Sequence, residues 1–287
     1  MGKASRRKNT AGTTAKVAPA PFVRRPFEGF ASETEWVALR EIVPAATATA
    51  RLADGGREVT IATVLPLAWP ALHRADGTIL VATQSGGSSG DASRDLARAL
   101  VAALETEPGT PIMSLPAATE ETPRLQDLLD TSAPLEVTLH EGFDFWIEGQ
   151  ELDGAAKESL ERANETIVPS VKLAAAPSAY WCRMGSRTFL RLVLGDDEDA
   201  ATDALARLHA VGESALDEGV RLLGAFRSHG LLVPVWDLDP ERDAADHEDQ
   251  VAAFIARYEA ALATTEPLTP EERRARSGLL SRQVTIR

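Results

Sequence analysis

Turn signals limit what this chain can fold into more than any other feature. Ala45–Ala53 alternates small apolar residues with Thr, Asp54-Gly55-Gly56 makes a turn, and Glu58–Leu65 reads as the returning strand. Asp76-Gly77 is a second strong turn signal, leading into Thr78–Thr83. Strands joined by tight turns are antiparallel partners, because a parallel pair needs a crossover of a dozen or more residues. Regular strand-helix alternation is absent. The expected fold class is therefore α+β with mainly antiparallel sheets, not a doubly wound fold.

Helices are expected at fewer places. Ser32-x-x-Glu35 is a capping-box pattern ahead of Trp36 and Leu39, and that helix should end before Pro44. Asp91 is a good N-cap for a segment with Leu96, Ala99, Leu100, Ala103 and Leu104 on one face, closed by Pro108-Gly109. Residues 111–116 and 135–147 read as extended, joined by a loop whose short helix is capped by Thr122 with Pro123 at its first position. A helix follows over about 154–165. Asp239 caps Pro240 ahead of a stripe of Val251, Phe254, Ile255, Tyr258, Ala261 and Leu262. Thr269-Pro270-Glu271-Glu272 starts the last helix, with Arg273, Arg274 and Arg276 in its last turn, Gly278 as the stop and Gln283–Ile286 as a final strand.

The second half of this plan resembles the first. Ile42-Val43-Pro44 recurs as Ile167-Val168-Pro169, Trp69 as Trp181, Thr78-Ile79-Leu80 as Thr188-Phe189-Leu190, Leu96–Leu100 as Leu205–His209, and Phe145-Trp146 as Val235-Trp236. The offset shrinks from 125 to 90, as loop deletions would produce. Either an ancestral duplication or chance matching in an Ala-rich chain accounts for this. The expected halves, 40–165 and 166–265, each read as βββαββα, with a C-terminal helix and strand over 266–287.

Charge divides the chain differently. Residues 1–25 hold Lys3, Arg6, Arg7, Lys8, Lys16, Arg24 and Arg25 without an acid, so the remaining 262 residues carry a net −20. The expected organisation is a disordered basic tail over 1–25 and an acidic domain over 26–287. The cluster of Lys3, Arg6, Arg7 and Lys8 suits phosphate backbones, whereas the field of the acidic body repels them. Any nucleic-acid contact would be confined to the tail, salt-sensitive and unspecific. No segment is apolar for the roughly 20 residues a bilayer needs, and the start lacks the apolar core of a secretory signal. The expected compartment is the cytosol, with no membrane partner.

Few residues suggest chemistry. Gly86-Gly87-Ser88-Ser89-Gly90 fits G-x-S-x-G between a strand and a helix, with Asp144 and His209 downstream, which makes Ser88 a candidate nucleophile. The loop is long and loose where a nucleophile elbow is tight, and it reads equally as a connection to the Asp91 cap. As a phosphate cradle it lacks the Gly-Lys-Ser/Thr ending, and Asp91 would repel the anion. The five histidines show no metal-ligand spacing, and one cysteine, Cys182, excludes a disulfide framework and a Cys-rich zinc site. Asp144 and Asp237 lie in acidic-aromatic clusters at the ends of matched strands, where a carboxylate beside rings can act as a general acid. Caps and core packing explain the same residues.

Five blocks carry a resemblance: Trp36–Thr47, Ala62–Leu72, Pro123–Asp130, Val233–Leu238 and Arg273–Ile286. As a set they resemble an actinobacterial family of unknown function, some of whose members bear names borrowed from the SecA preprotein translocase or topoisomerase II. The resemblance implies no activity, cofactor or catalytic residue. Some relatives carry a short N-terminal zinc motif, but Lys3–Lys16 has no cysteine.

The expected function is that of a non-enzymatic domain that binds a protein partner, with the tail adding a contact to nucleic acid or ribosomes. No cofactor or metal is expected. The alternative is a small-molecule enzyme or ligand binder, with Asp144 or Asp237 in a carboxylate-aromatic site between the halves.

Overall fold

A computed structural model describes residues 17–86, 89–147 and 154–281. The chain enters through helix α1 (Glu33–Glu41) and forms strands β1 (Ala46–Arg51), β2 (Glu58–Ala62), β3 (Ala71–His73) and β4 (Ile79–Ala82). Helix α2 (Ala92–Glu105), β5 (Thr110–Ile112), α3 (Leu125–Leu128), β6 (Val137–Leu139) and α4 (Gly154–Asn164) follow. The rest comprises β7 (Ser170–Lys172), β8 (Ala179–Met184), β9 (Arg187–Leu192), α5 (Glu198–Ala210), β10 (Arg221–Ser228), β11 (Leu231–Leu238), α6 (Glu248–Leu262) and α7 (Pro270–Ser281). Two sheets result, ordered β5-β3-β4-β2-β1-β6 and β10-β11-β9-β8-β7. Every pairing is antiparallel except β2 with β4. The fold is α+β, as the turn pattern implies.

Local chemistry accounts for most of these elements. In β1, Ala46, Ala48 and Ala50 face the core while Thr47, Thr49 and Arg51 face outward, the period of a half-buried strand. Gly55 and Gly77 take the left-handed conformation in the two turns, and the side chains of Asp54 and Asp76 accept the N–H two residues on. Asp91 caps α2 by accepting the Ser93 N–H at 3.1 Å, and Leu96, Ala99, Leu100 and Ala103 are buried.

Several expectations shift. Ser32 precedes α1 but does not cap it: its Oγ accepts the Leu135 N–H, and Glu35 turns away to the second sheet. The short helix α3 starts two residues later than Thr122-Pro123 suggests, with Arg124 and Asp127 closing its first turn. Asp239 caps only a turn, through the Glu241 N–H, and α6 begins at Glu248 after a 3-10 turn over Ala244–His247. Helix α7 runs through Gly278 to Ser281, so Arg273, Arg274 and Arg276 are not in its last turn. Trp146 lies in a 3-10 turn over Asp144–Trp146, not in a strand. Gln283–Ile286 falls outside the described residues.

The expected tail is shorter at its C-terminal side. Pro19 bridges to Thr119, Ala20 is buried and donates to the Ala118 carbonyl, and Val23 donates to Gly90. Arg24 pairs with Glu198 and Arg25 with Glu33. The two-residue hairpin loop His229-Gly230, both left-handed, closes β10 onto β11 beneath this strap. A Cβ on Gly230 would come within 3.0 Å of the Arg24 carbonyl.

The two halves differ in topology. The second runs βββαββα, and after α5 its strands β10 and β11 join beside β9. The first places four strands before α2 and sends β5 and β6 to opposite edges. The matched tryptophans fall in unlike places: Trp181 and Trp236 in strands, Trp69 and Trp146 beside or within 3-10 turns.

Helix α1 joins the sheets. Trp36, Val37, Ala38 and Leu39 share one core with Ile61 and Val81 of the first sheet and Tyr180, Val193, Leu231 and Val233 of the second. Strand β4 is buried on both faces, with Leu80 and Ala82 packing under Phe143, Phe145 and Leu160. Helices α5, α6 and α7 cover the far side of the second sheet around Trp236 and Phe254.

Candidate functional site

A groove of about 600 Å³ lies where β6, an edge of the first sheet, faces β7, an edge of the second. Leu139, Ile167, Val171 and Trp181 supply apolar wall, and His140, Glu141, Asn164 and Lys172 supply polar groups. Antiparallel alternation fixes which backbone groups face it. The His140 N–H is bonded to the Ala45 carbonyl, which leaves the N–H and C=O of Leu139 turned away from β1. Hydrogen bonds at Pro169–Arg183 and Leu173–Ala179 likewise leave those of Ser170 and Lys172 turned away from β8. Among the described residues neither edge has a further strand partner.

Lys172 is held from behind. Its Nζ lies 2.6 Å from Oε1 of buried Glu35, whose other oxygen accepts the Tyr180 O–H at 2.5 Å. The Ser178 N–H also donates to Glu35, and the Ser178 Oγ–H donates to Thr34 Oγ1. Burial, followed by the Glu35 charge and hydrogen bond, pushes the Tyr180 hydroxyl far above its ordinary range, so it stays a donor. His140 Nε2 meets Thr47 Oγ1 at 2.8 Å, and its ring packs 4.8 Å from that of Phe145. Trp181 is 6% exposed, and its indole N–H has no hydrogen-bond partner among the described residues. A buried donor without an acceptor carries a penalty of about 1–3 kcal/mol.

A second hollow, about 790 Å³, opens where β10 begins and β11 ends. Asp217, Glu218, Asp237 and Asp239 line it with Arg221 and Arg242. Asp237 pairs with Arg187 at 3.0 Å, and Asp217 with Arg242 at 3.5 Å. His209 Nδ1 is 2.8 Å from the Oγ of buried Ser214. No group of three or more metal-ligating side chains occurs among the described residues.

Behind this acidic hollow His247 is completely buried, and neither ring nitrogen has a hydrogen-bond partner among the described residues. Burial, aided by Arg242 and opposed by Asp246, Asp239 and Asp217, lowers its pKa from 6.5. The fold thus holds the neutral ring, while the unfolded chain binds a proton near 6.5. Stability is greatest above that value and falls as pH drops toward the folded-state pKa. Urea midpoints at about pH 8 and about pH 5 should show a smaller loss in His247→Phe than in the parent. An equal loss in both would refute the assignment.

The sequence candidates are not brought together. Asp144 is exposed on the 3-10 turn beside the first sheet, whereas Asp237 lies on β11 in the second hollow. Neither Asp144 nor Asp237 lines the groove, where the acids are Glu141 in its lining and Glu35 behind Lys172. Ser88 and the cluster of Lys3, Arg6, Arg7 and Lys8 lie outside the described residues. Cys182 is buried, which pushes its thiol pKa up against the pull of neighbouring Arg191, and buried thiols of this kind are inert.

Residues 26–287 match the family described as "Family of unknown function (DUF5926)". The chain belongs to that family. No curated protein and no solved structure matches it. In this DUF5926 protein the match begins at Pro26, directly after the strap, so the tail stands outside the family domain and the groove wholly within it. No helix among the described residues is long and apolar enough to cross a membrane.

Sequence reasoning missed Glu35, Lys172 and Trp181. Glu35 read as half of a capping box, Trp181 as the repeat counterpart of Trp69, and Lys172 carried no sequence signal. Lys172 and Trp181 are neighbours through the pairing of β7 with β8, and the facing of edge β6, which no local pattern records, puts both in the lining of one groove.

Proposed function

We propose that this DUF5926 protein is a non-catalytic, cytosolic binding domain whose ligand sits in the groove between β6 and β7. The observation that carries the reading is the groove of about 600 Å³ between two sheet edges that have no further strand partner among the described residues, with Leu139, Ile167, Val171 and Trp181 in its lining. Binding is favoured over catalysis because Asp144 and Asp237 stand apart and Glu35 is already engaged by Lys172, Tyr180 and Ser178. The groove's volume suits a small molecule.

Val171 provides the test, since it is 43% exposed on the groove wall and carries no core packing of its own. In a thermal-shift screen of small metabolites, ligands should raise the melting temperature of the parent, and Val171→Glu should abolish those shifts while keeping the parent's unliganded melting temperature. A screen without hits, or hits that persist in Val171→Glu, would overturn the reading.

The tail adds an electrostatic contact to nucleic acid. Arg24 and Arg25 are consumed by Glu198 and Glu33, which leaves the five basic residues of 1–16 for it. The full chain should co-sediment with RNA at low salt and lose this on deletion of residues 1–16, leaving the strap intact. Co-sedimentation that survives the deletion, or is absent from the full chain, refutes the contact.

A further inference from the structure

We propose that the turn Ala244–His247 is an acid-released latch: protonation of buried His247 drives the turn outward toward Asp217 and Asp239 and frees the start of α6 from the connection between β7 and β8. The inference is independent of the groove, and it goes beyond the stability effect of His247 by naming what moves.

The closed turn has no place for a charged ring. A neutral imidazole carries one N–H donor and one acceptor nitrogen, and in completely buried His247 neither meets a partner among the described residues. An imidazolium adds a second idle donor and a net charge at the same spot. An unpaired buried charge of that kind persists only by losing its proton or by moving to water or a counter-ion.

Counter-ions surround the turn. Asp217 on the loop between α5 and β10, Asp239 directly after β11 and Asp246 on the turn itself all favour a proton on His247, and Arg242 opposes it. Arg242 is already engaged, with Asp217 at 3.5 Å and with the Asp246 carbonyl at 2.7 Å. Three carboxylates against one guanidinium leave these surroundings negative, so the ring that burial expels is drawn outward.

The turn is built to move as a unit. Asp243 and Asp246 close it on each other, through the Asp243 N–H at 2.9 Å and the Asp246 N–H at 3.1 Å, and those bonds travel with it. Exposed groups tie it outward, Arg242 to Asp217 and Arg183 to the Pro240 carbonyl at 3.1 Å. The remaining tie is Glu248, the residue after His247 and the first of α6, whose two carboxylate oxygens accept the N–H groups of Ala174 and Ala175 at 2.9 and 2.7 Å. Displacing His247 carries Glu248 with it, and both bonds are given up.

The open turn takes a proton with the ordinary affinity of histidine, near 6.5, and the closed turn takes it less readily. Acid therefore shifts the balance toward the open form only below that value, by about tenfold per pH unit until the closed form also protonates. Amide hydrogen exchange, followed by NMR on the full chain at about pH 8 and about pH 5.5 and corrected for the exchange of free amides, tests this. Ala174 and Ala175 should be less protected than the paired amides of β8 and β9 at both pH values, and their protection should fall about tenfold on acidification. The variant His247→Phe, compared at the same two pH values, holds every other titrating group constant and should abolish that fall. Protection at Ala174 and Ala175 equal to that of β8 and β9 would mean that only whole-domain unfolding exposes them, and would overturn the latch. So would a fall that persists in His247→Phe, or no fall in the parent, a result that needs no variant.

Discussion

Glu35→Ala should destabilise the fold by about 3–5 kcal/mol, the range for removing one partner of a buried ion pair. The magnitude follows from what is left behind. Lys172, the Tyr180 hydroxyl and the Ser178 N–H all lose their acceptor, and Tyr180 is completely buried. Glu35→Gln keeps the shape and one acceptor oxygen, so it should fall between parent and Ala. Urea unfolding should show a lower midpoint with an unchanged slope. A cycle with Lys172→Met should show coupling, because the second substitution removes the stranded cation. A loss under about 1 kcal/mol for Glu35→Ala would mean that the clasp between α1 and the second sheet carries little.

Trp236→Ala should cost a similar amount, about 3–5 kcal/mol, by a different mechanism. Trp236 is fully buried, packs edge-on against Phe254 at 4.8 Å and donates its N–H to the Ser214 carbonyl at 2.9 Å. Phe254 in turn stacks on Tyr258, whose hydroxyl reaches Asp196. The truncation therefore opens a cavity beneath α6 and strands one acceptor. Trp236→Phe should cost less, since much of the volume remains and mainly the hydrogen bond is lost. Denaturant midpoints for the two variants check the ordering, and Trp236→Phe as destabilising as Trp236→Ala would contradict it.

What could be read from the sequence was what local chemistry determines. The Ala/Thr alternation of β1, the Asp-Gly turns, the Asp91 cap and the Thr269–Glu272 helix start are each decided within a few residues. Ser32 and Glu35 show where that reasoning ends. Their spacing locates the helix start correctly, yet both side chains go to distant partners, Leu135 and Tyr180, because a buried carboxylate gains more from a cation and a phenol than from one exposed N–H. The Asp239-Pro240 signal similarly marks a turn, the helix itself waiting until Glu248. The groove was legible only as a place between two halves. Its residues depend on edge strands β6 and β7 meeting, and each spans three residues with no periodic pattern of its own.

The shared core around α1 sets an order on synthesis. The first sheet's hydrophobic cluster is completed by Tyr180, Val193, Leu231 and Val233, and the strap of residues 19–25 ends against Glu198 and Gly230. Pro19, Ala20 and Val23 find Thr119, Ala118 and Gly90 within the first half, but well over half of the chain must be made before Arg24 can meet Glu198 and the strap can close over Gly230. Until then Trp36, Phe27 and the inner face of the first sheet remain open to solvent, the kind of surface that draws chaperones or aggregates. The strap thus closes in two stages, and the core around α1 is covered only once residues 231–233 have been made.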